Sequence, residues 1–270
     1  MLLPRLIPAG SHYVRIPSSK RAAMRVILET VQRGARLWTG GVVPLDKALP
    51  FAARMAELYG ADATQAQRAY AKQRGRANTA LLMYPETPDE LRFFLLVTPG
   101  EGRVHEREQL LDTHDVHGHL RWGSQYELLQ VQRPRVHGGG RTWTWRLTDE
   151  RYDALHASML RTARNPGRRA DRRDDLDALV RALLRMPGYY GVRQQQLALL
   201  RDGQEAWSRT HADTDAYTWP QQVGYLDKSF RCYHQPHPLR LDVLVRALQH
   251  QRGTAVFAVT TDGGAAADTD

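Results

Sequence analysis

An α+β fold is the class this sequence predicts, and three observations predict it. Two apolar runs, 80–85 (ALLMYP) and 91–99 (LRFFLLVTP), flank a turn containing proline and aspartate, which is the pattern of an antiparallel hairpin. A second pair, 126–131 and 142–147, flanks "PRVHGGGR". After Thr148 the apolar residues change to helical spacing and keep it to about residue 210.

The elements follow in order. Residues 23–31, AMRVILETV, alternate Met24, Val26 and Leu28 with Arg25, Ile27 and Glu29, which predicts a strand. The glycine-rich Trp38-Thr39-Gly40-Gly41 closes that unit. Pro44 opens a helical pattern (Pro50 is the other possible start) and Gly60 closes it. Asp62 is placed to cap a second helix running to Gly75, with a basic end at Arg68, Lys72, Arg74 and Arg76. The helix dipole alone favours cations there. In the second hairpin, Trp143 and Trp145 share one face and Thr142, Thr144 and Arg146 the other.

Thr148 is a suitable N-cap for the helical stretch. Tyr152, Leu155, Met159 and Leu160 trace one apolar stripe, and Leu176, Leu179, Val180, Leu183 and Leu184 a second. A third helix covers 192–207. Between the first two, "RTARNPGRRADRRDD" reads as an exposed tip, because Asn165-Pro166-Gly167 breaks the helix. The pattern 223–233 holds a strand, 239–250 an amphipathic helix and 254–260 a short strand. The division predicted is a sheet-containing body over 1–148, a helical subdomain over 149–210, a return to the body over 211–260, and a small, polar, disordered tail over 261–270.

The charge balance bounds the function. Lys+Arg number 38 against 29 Asp+Glu, a net +9 over 270 residues. A domain so basic suits a polyanionic partner, nucleic acid above all, or else carries a strongly solvated surface. Lysine occurs only at 20, 47, 72 and 228. The remaining cations are guanidinium forks, which grip phosphate bidentately and stack on bases. The single cysteine, Cys232, excludes an internal disulfide and a cysteine zinc site. The first residues are too short and too broken by proline for a signal peptide. No run approaches the roughly 18 apolar residues of a membrane span. A soluble, cytoplasmic protein is expected.

Several chemistries find no pattern. His114, His117 and His119 in "HDVHGH" are the densest histidine group. They fit a zinc loop or a solvated loop, and no HExxH or spaced carboxylate completes a metal site. There is no GxSxG elbow and no Walker or dinucleotide glycine pattern, so no metal and no cofactor is expected. Arginine groups remain. Arg168, Arg169, Arg172 and Arg173 form either a salt-bridged helix face with Asp171, Asp174 and Asp175 or a positive finger for a phosphate backbone. Arg25 and Arg209 are further backbone-binding candidates. In a ferredoxin-like, RRM-like body the chain ends pack together in the sheet, and Arg21 or Arg25, Arg36 and Arg240 would then converge. Arginine is a poor base but stabilises a phosphorane transition state, and RNA brings its own 2′-OH nucleophile.

An arginine-flanked first segment, hairpins in a ferredoxin-like body, an arginine-rich helical insertion and a closing basic helix and strand make up an order of parts. It resembles the repeat-cleaving endoribonuclease that processes CRISPR RNA in type IV systems. The resemblance covers most of the chain. It implies metal-independent cleavage of a repeat hairpin RNA at its base, a 2′,3′-cyclic phosphate or related end, and an enzyme that stays on its product, the mature crRNA, among other subunits of a ribonucleoprotein. It assigns catalysis to Arg21 in "SSKRAAM", Arg36 in "RGARLW" and Arg240 in "HPLRLD", and stem binding to Arg168, Arg169, Arg172 and Arg173. The wider superfamily's glycine-rich C-terminal loop is reduced here to Gly253, and its histidine base would fall to His237 or His12. Two other readings stand beside it: a non-catalytic nucleic-acid-binding protein of a plasmid or mobile element, and an interaction subunit of a larger ribonucleoprotein.

Overall fold

The computed structural model describes residues 14–165, 169–211, 216–226, 231–234 and 237–262. The chain forms two compact units, one from 1–112 with 231–270 and the other from 113–230. In the first, strand β1 (Arg15–Ile16) leads into helix α1 (Lys20–Gln32) and strand β2 (Leu37–Pro44). The strand expected at 23–31 is therefore a helix. Ser19 caps it by accepting from the Ala22 N–H, and Ala22, Ala23, Met24, Ile27 and Val31 form its buried stripe. Their spacing is that of one helix face. The alternation of Met24, Val26 and Leu28 is incidental to it.

The Gly40-Gly41 pair lies inside β2 and does not end it. A Cβ on Gly40 would stand 2.8 Å from the Phe93 carbonyl, so the neighbouring strand can approach only a glycine. Pro44 is the last residue of β2, and a 3₁₀ turn at Leu45–Lys47 joins it to α2 (Ala48–Tyr59). Gly60 ends α2 at φ 64°, the left-handed cap the sequence predicts. Helix α3 (Gln65–Gln73) is capped by Thr64, not Asp62, through a capping box with Gln67. Strands β3 (Thr79–Pro85) and β4 (Glu90–Val97) form the expected hairpin. Short α4 (Val104–Arg107) and β5 (Leu111–Asp112) follow. The sheet runs β3-β4-β2-β5 and is antiparallel throughout. Two helices separate β2 from the hairpin, so the chain order here is not a simple βαββαβ.

The second unit takes β6 (Leu120–Trp122), β7 (Tyr126–Gln132) and β8 (Arg141–Leu147) into one three-stranded antiparallel sheet. Helices α5 (Asp149–Ala163), α6 (Arg169–Leu184) and α7 (Tyr190–Thr210) complete it. Thr148 caps α5 as predicted. The second hairpin thus belongs with the helices, and the boundary falls at 112/113 instead of 148/149. Gln195 of α7 donates to the Leu147 carbonyl at 3.1 Å and accepts from its N–H at 2.7 Å. Gly191 lies so close to β8 that a Cβ would be 2.7 Å from the Trp145 carbonyl. These contacts tie sheet to helix, and residues 211–226 stay with this unit.

The chain then re-enters the first unit. Ser18 N–H donates to Cys232 at 2.9 Å and Tyr233 bridges Pro17. This bridge is all the pairing found where a strand was predicted over 223–233, among the described residues. Strand β9 (Leu239–Arg240) pairs antiparallel with β1, and α8 (Leu241–Asp262) follows, so the strand predicted at 254–260 is helical. Leu241, Leu244 and Val245 pack with Val14, Ile16, Met83, Leu91 and the alanines of α2. Burial of each large aliphatic side chain there contributes about 1.5–3 kcal/mol. The tail expected to be disordered lies, from 263 on, outside the described residues. No helix among the described residues is long and apolar enough to cross a membrane.

Candidate nucleic-acid interface

Reading 20–32 as a helix rearranges the arginines. Val26, Glu29 and Thr30 on one stripe of α1, with Arg33 at its C-cap, all line an open cavity of about 390 Å³. Its floor is the sheet surface at Ala80, Leu81, Leu82 and Leu96, and Arg15 and Arg68 enter from two other elements. A wider opening of about 950 Å³ repeats Arg15, Arg33, Ala61 and Arg68 and adds residues 62–65 leading into α3. Three guanidiniums from β1, α1 and α3 therefore face one groove.

The anchoring of each is specific. Arg33 reaches back to Glu29 at 3.7 Å and keeps 80% of its side chain exposed. Arg68 donates from Nη2 to the Ala61 carbonyl at 3.2 Å, while its Nε is buried without a hydrogen-bond partner. An unsatisfied buried donor costs about 1–3 kcal/mol, so a bound acceptor or water nearby is favoured. Arg15 pairs in register with Arg240 across β1 and β9. Tyr233 forms part of the wall. Burial pushes its phenol up, as do Cys232 and Glu29, against the pull of Arg15 and Arg33. Burial, then Glu29, raises the Cys232 thiol, so the groove offers a protonated phenol and thiol and not a thiolate nucleophile.

The arginines singled out from the sequence are distributed otherwise. Arg21 sits in the first turn of α1 and Arg36 beyond its end, so about 17 Å of helix rise separates their ends. The convergence of these two is not found, because the segment joining them is a rod and not a strand that folds back. Arg36 instead clamps Asp112 of β5, with Nη2 at 2.6 Å. Arg240 clamps Asp242 at 2.7 Å, and Asp242 also holds Arg246 at 3.0 Å. Arg25 donates to Glu29 at 3.0 Å. Arg209 pairs with Glu205 one turn earlier on α7. Arg173 donates to the Ala216 carbonyl at 2.8 Å. Arg168 lies outside the described residues, as do the side chains of Arg169 and Arg172, whose backbone belongs to α6. His12 is also outside them, and His234 and His237 are exposed.

His114 lies edge-on to Trp143, and His119 stands 3.7 Å from Glu127. Among the described residues, no group of three or more His, Cys, Asp or Glu is placed to hold a metal ion. Of the basic end of α3, Arg68 and Lys72 line the groove and its extension, while Arg74 lies over the Tyr70 ring at 4.4 Å. The sequence marks Arg68 and Lys72 as a basic helix end without assigning them a site, and it gives no sign of Arg15. The usable signal was the helical stripe Val26-Thr30-Arg33, hidden once the segment was taken for a strand.

No family model matches this chain, and no curated protein and no solved structure matches it.

Proposed function

We propose that this chain binds RNA, holding the phosphodiester backbone of an unpaired segment in the groove of Arg15, Arg33 and Arg68. The supporting observation is that three fixed charges from separate elements face one cavity with an apolar floor. Guanidinium forks suit phosphate, and an apolar sheet surface suits bases or sugars. The net charge of +9 adds long-range attraction. The resemblance to the type IV CRISPR repeat endoribonuclease makes a repeat hairpin the RNA of choice, a ribonucleoprotein the assembly and the cytoplasm the compartment.

Cleavage is the second reading, favoured by convergence: a phosphate held between three guanidiniums is held where a phosphorane's added charge would be stabilised. In that reaction the 2′-oxygen attacks the adjacent phosphorus and loses its proton to solvent. The bond to the 5′-oxygen breaks, and that oxygen takes a proton. The products are a 2′,3′-cyclic phosphate and a 5′-hydroxyl. Arg15, Arg33 and Arg68 replace Arg21 and Arg36 as the groups at the phosphate, with Arg240 beside Arg15.

The test is a labelled repeat hairpin incubated with the full chain in EDTA, with binding followed across salt and the ends mapped. Salt-dependent binding lost in the Arg33→Ala/Arg68→Ala variant is the expected result. Binding that this variant leaves intact would remove the groove from the reading. Bound RNA that stays whole over a panel of repeat hairpins leaves binding and ends the nuclease reading.

A further inference from the structure

The cationic groove opens into a second compartment of different character. A cavity of about 560 Å³ lies between the exit of α1, the face of α3 and the end of the β3-β4 hairpin. Gly34, Ala35, Ala69, Ala80, Leu96 and Pro99 give it an apolar lining. Ala35 and Leu96 are buried and form its base. Asn78 and Thr98 stand at its rim. They are locked together, the Asn78 N–H donating to the Thr98 hydroxyl at 2.8 Å and the Asn78 amide to the Arg68 carbonyl at 3.1 Å. Thr30, Arg33, Arg68, Ala80 and Leu96 line both compartments. Arg33 and Arg68 therefore form a shared wall, with a polar space on one side and an apolar one on the other.

We propose that the apolar compartment receives the base of one unpaired nucleotide whose phosphate lies against Arg33 and Arg68. This rests on the RNA-binding reading of the groove. A nucleotide joins an anion to a flat, largely apolar ring with a polar edge, and the two compartments offer those surfaces in the same order. The volume falls within the usual range of ligand sites, about 300–1,000 Å³. Guanidinium planes in the shared wall can stack on a base while their N–H groups hold its phosphate. Asn78 and Thr98 meet the base edge at the rim. Lys72, also in the lining, adds a cation for the next phosphate.

The experiment compares a repeat hairpin with versions in which single unpaired nucleotides are abasic, the ribose and phosphate being kept. One position is expected to lose about tenfold in affinity, the scale of one stacked base. Ala69→Phe, at an exposed position of α3, fills the compartment from its α3 side. It should lower the intact RNA to the abasic level, erase the difference between the two and leave the salt slope unchanged. If every abasic RNA binds like the intact one, or if Ala69→Phe weakens both equally, the base site is overturned. If no RNA binds, the groove reading falls and titration with the four nucleoside monophosphates against ribose 5-phosphate decides. Preference for a monophosphate, lost in Ala69→Phe, keeps the base site, and equal or absent binding overturns it.

Discussion

Two of the chain's concentrations of arginine look alike in number and differ in what surrounds them. In the second unit, the β7–β8 turn places Arg133, Arg135 and Arg141 within nine residues, and all three are exposed. Gly138, Gly139 and Gly140 all adopt positive φ there, which few other residues tolerate. In the first unit, Arg15, Arg33 and Arg68 are far apart in sequence and face one cavity. Charges adjacent in sequence repel and spread over a solvated turn, where water screens them. Charges brought by three separate elements are held near one another by the core beneath. The difference teaches that local density of arginine measures solubility as readily as it measures a site, and that convergence from separate elements is the better guide.

The largest expected effect tests that contrast directly. Arg33→Ala with Arg68→Ala should weaken hairpin RNA at least thirtyfold in moderate salt. The slope of log affinity against log salt should fall by about 1.4, at about 0.7 per lost single-strand contact. Filter binding at several salt concentrations measures both. If the double variant binds as the parent does, convergence has no privilege and the contrast fails.

How much of this was legible in the sequence follows from the physics of each segment. The hairpins β3–β4 and β7–β8 were legible because long apolar runs bounded by turn residues have few other solutions. The Thr148 and Gly60 caps were legible because capping is local. Helix α1 was not, because its buried stripe leans on Ala22 and Ala23, which contribute little to an apolar count. Gly40 in β2 was not, because the close approach of Phe93 that requires it comes from a strand paired across the sheet. The groove was the least legible part. Its arginines belong to three elements, and Arg36 and Arg240, which stood out beside turns, are committed to Asp112 and Asp242.

A second variant separates the units. Gly191→Ala puts a methyl group against the Trp145 carbonyl, and overpacking of this kind costs about 1–3 kcal/mol. Limited proteolysis should then cut more readily within 113–230 than within 14–112. If RNA affinity survives, the first unit carries the binding. An equal loss in both units would show that they melt as one.

A smaller effect is expected at Asp242. The hydrogen bond from Arg240 holds its carboxyl below the ordinary range, burial opposes this, and the charges of Arg240 and Arg246 assist. A depressed folded pKa stabilises fully above the unfolded value, about 3.9, and that contribution is lost as pH falls on through the folded value. Asp242→Asn should therefore melt a few degrees lower at pH 7. The gap to the parent should close as pH falls through the depressed pKa of the folded carboxyl. A constant gap across that range would mean that the carboxylate's charge is not what holds β9 and α8 together. Because β9 pairs Arg240 with Arg15, RNA binding of this variant also reports whether the groove depends on that anchor.

The smallest effect is predicted at the basic β7–β8 turn. Arg135→Ala with Arg141→Ala removes two exposed charges from a turn that holds itself together by other means. Arg133 N–H donates to the Gly140 carbonyl at 2.8 Å, and Arg133 Nη2 donates to Thr142 at 2.9 Å. Its fold should be unchanged, and RNA affinity should fall less than threefold with a slope change below one. A loss as large as that of the Arg33/Arg68 pair would mean that the turn enters the RNA and that convergence on a cavity does not mark the contact. The two double variants each remove two positive charges, so net charge cannot account for a difference between them. Whatever difference remains measures what the cavity adds to an arginine.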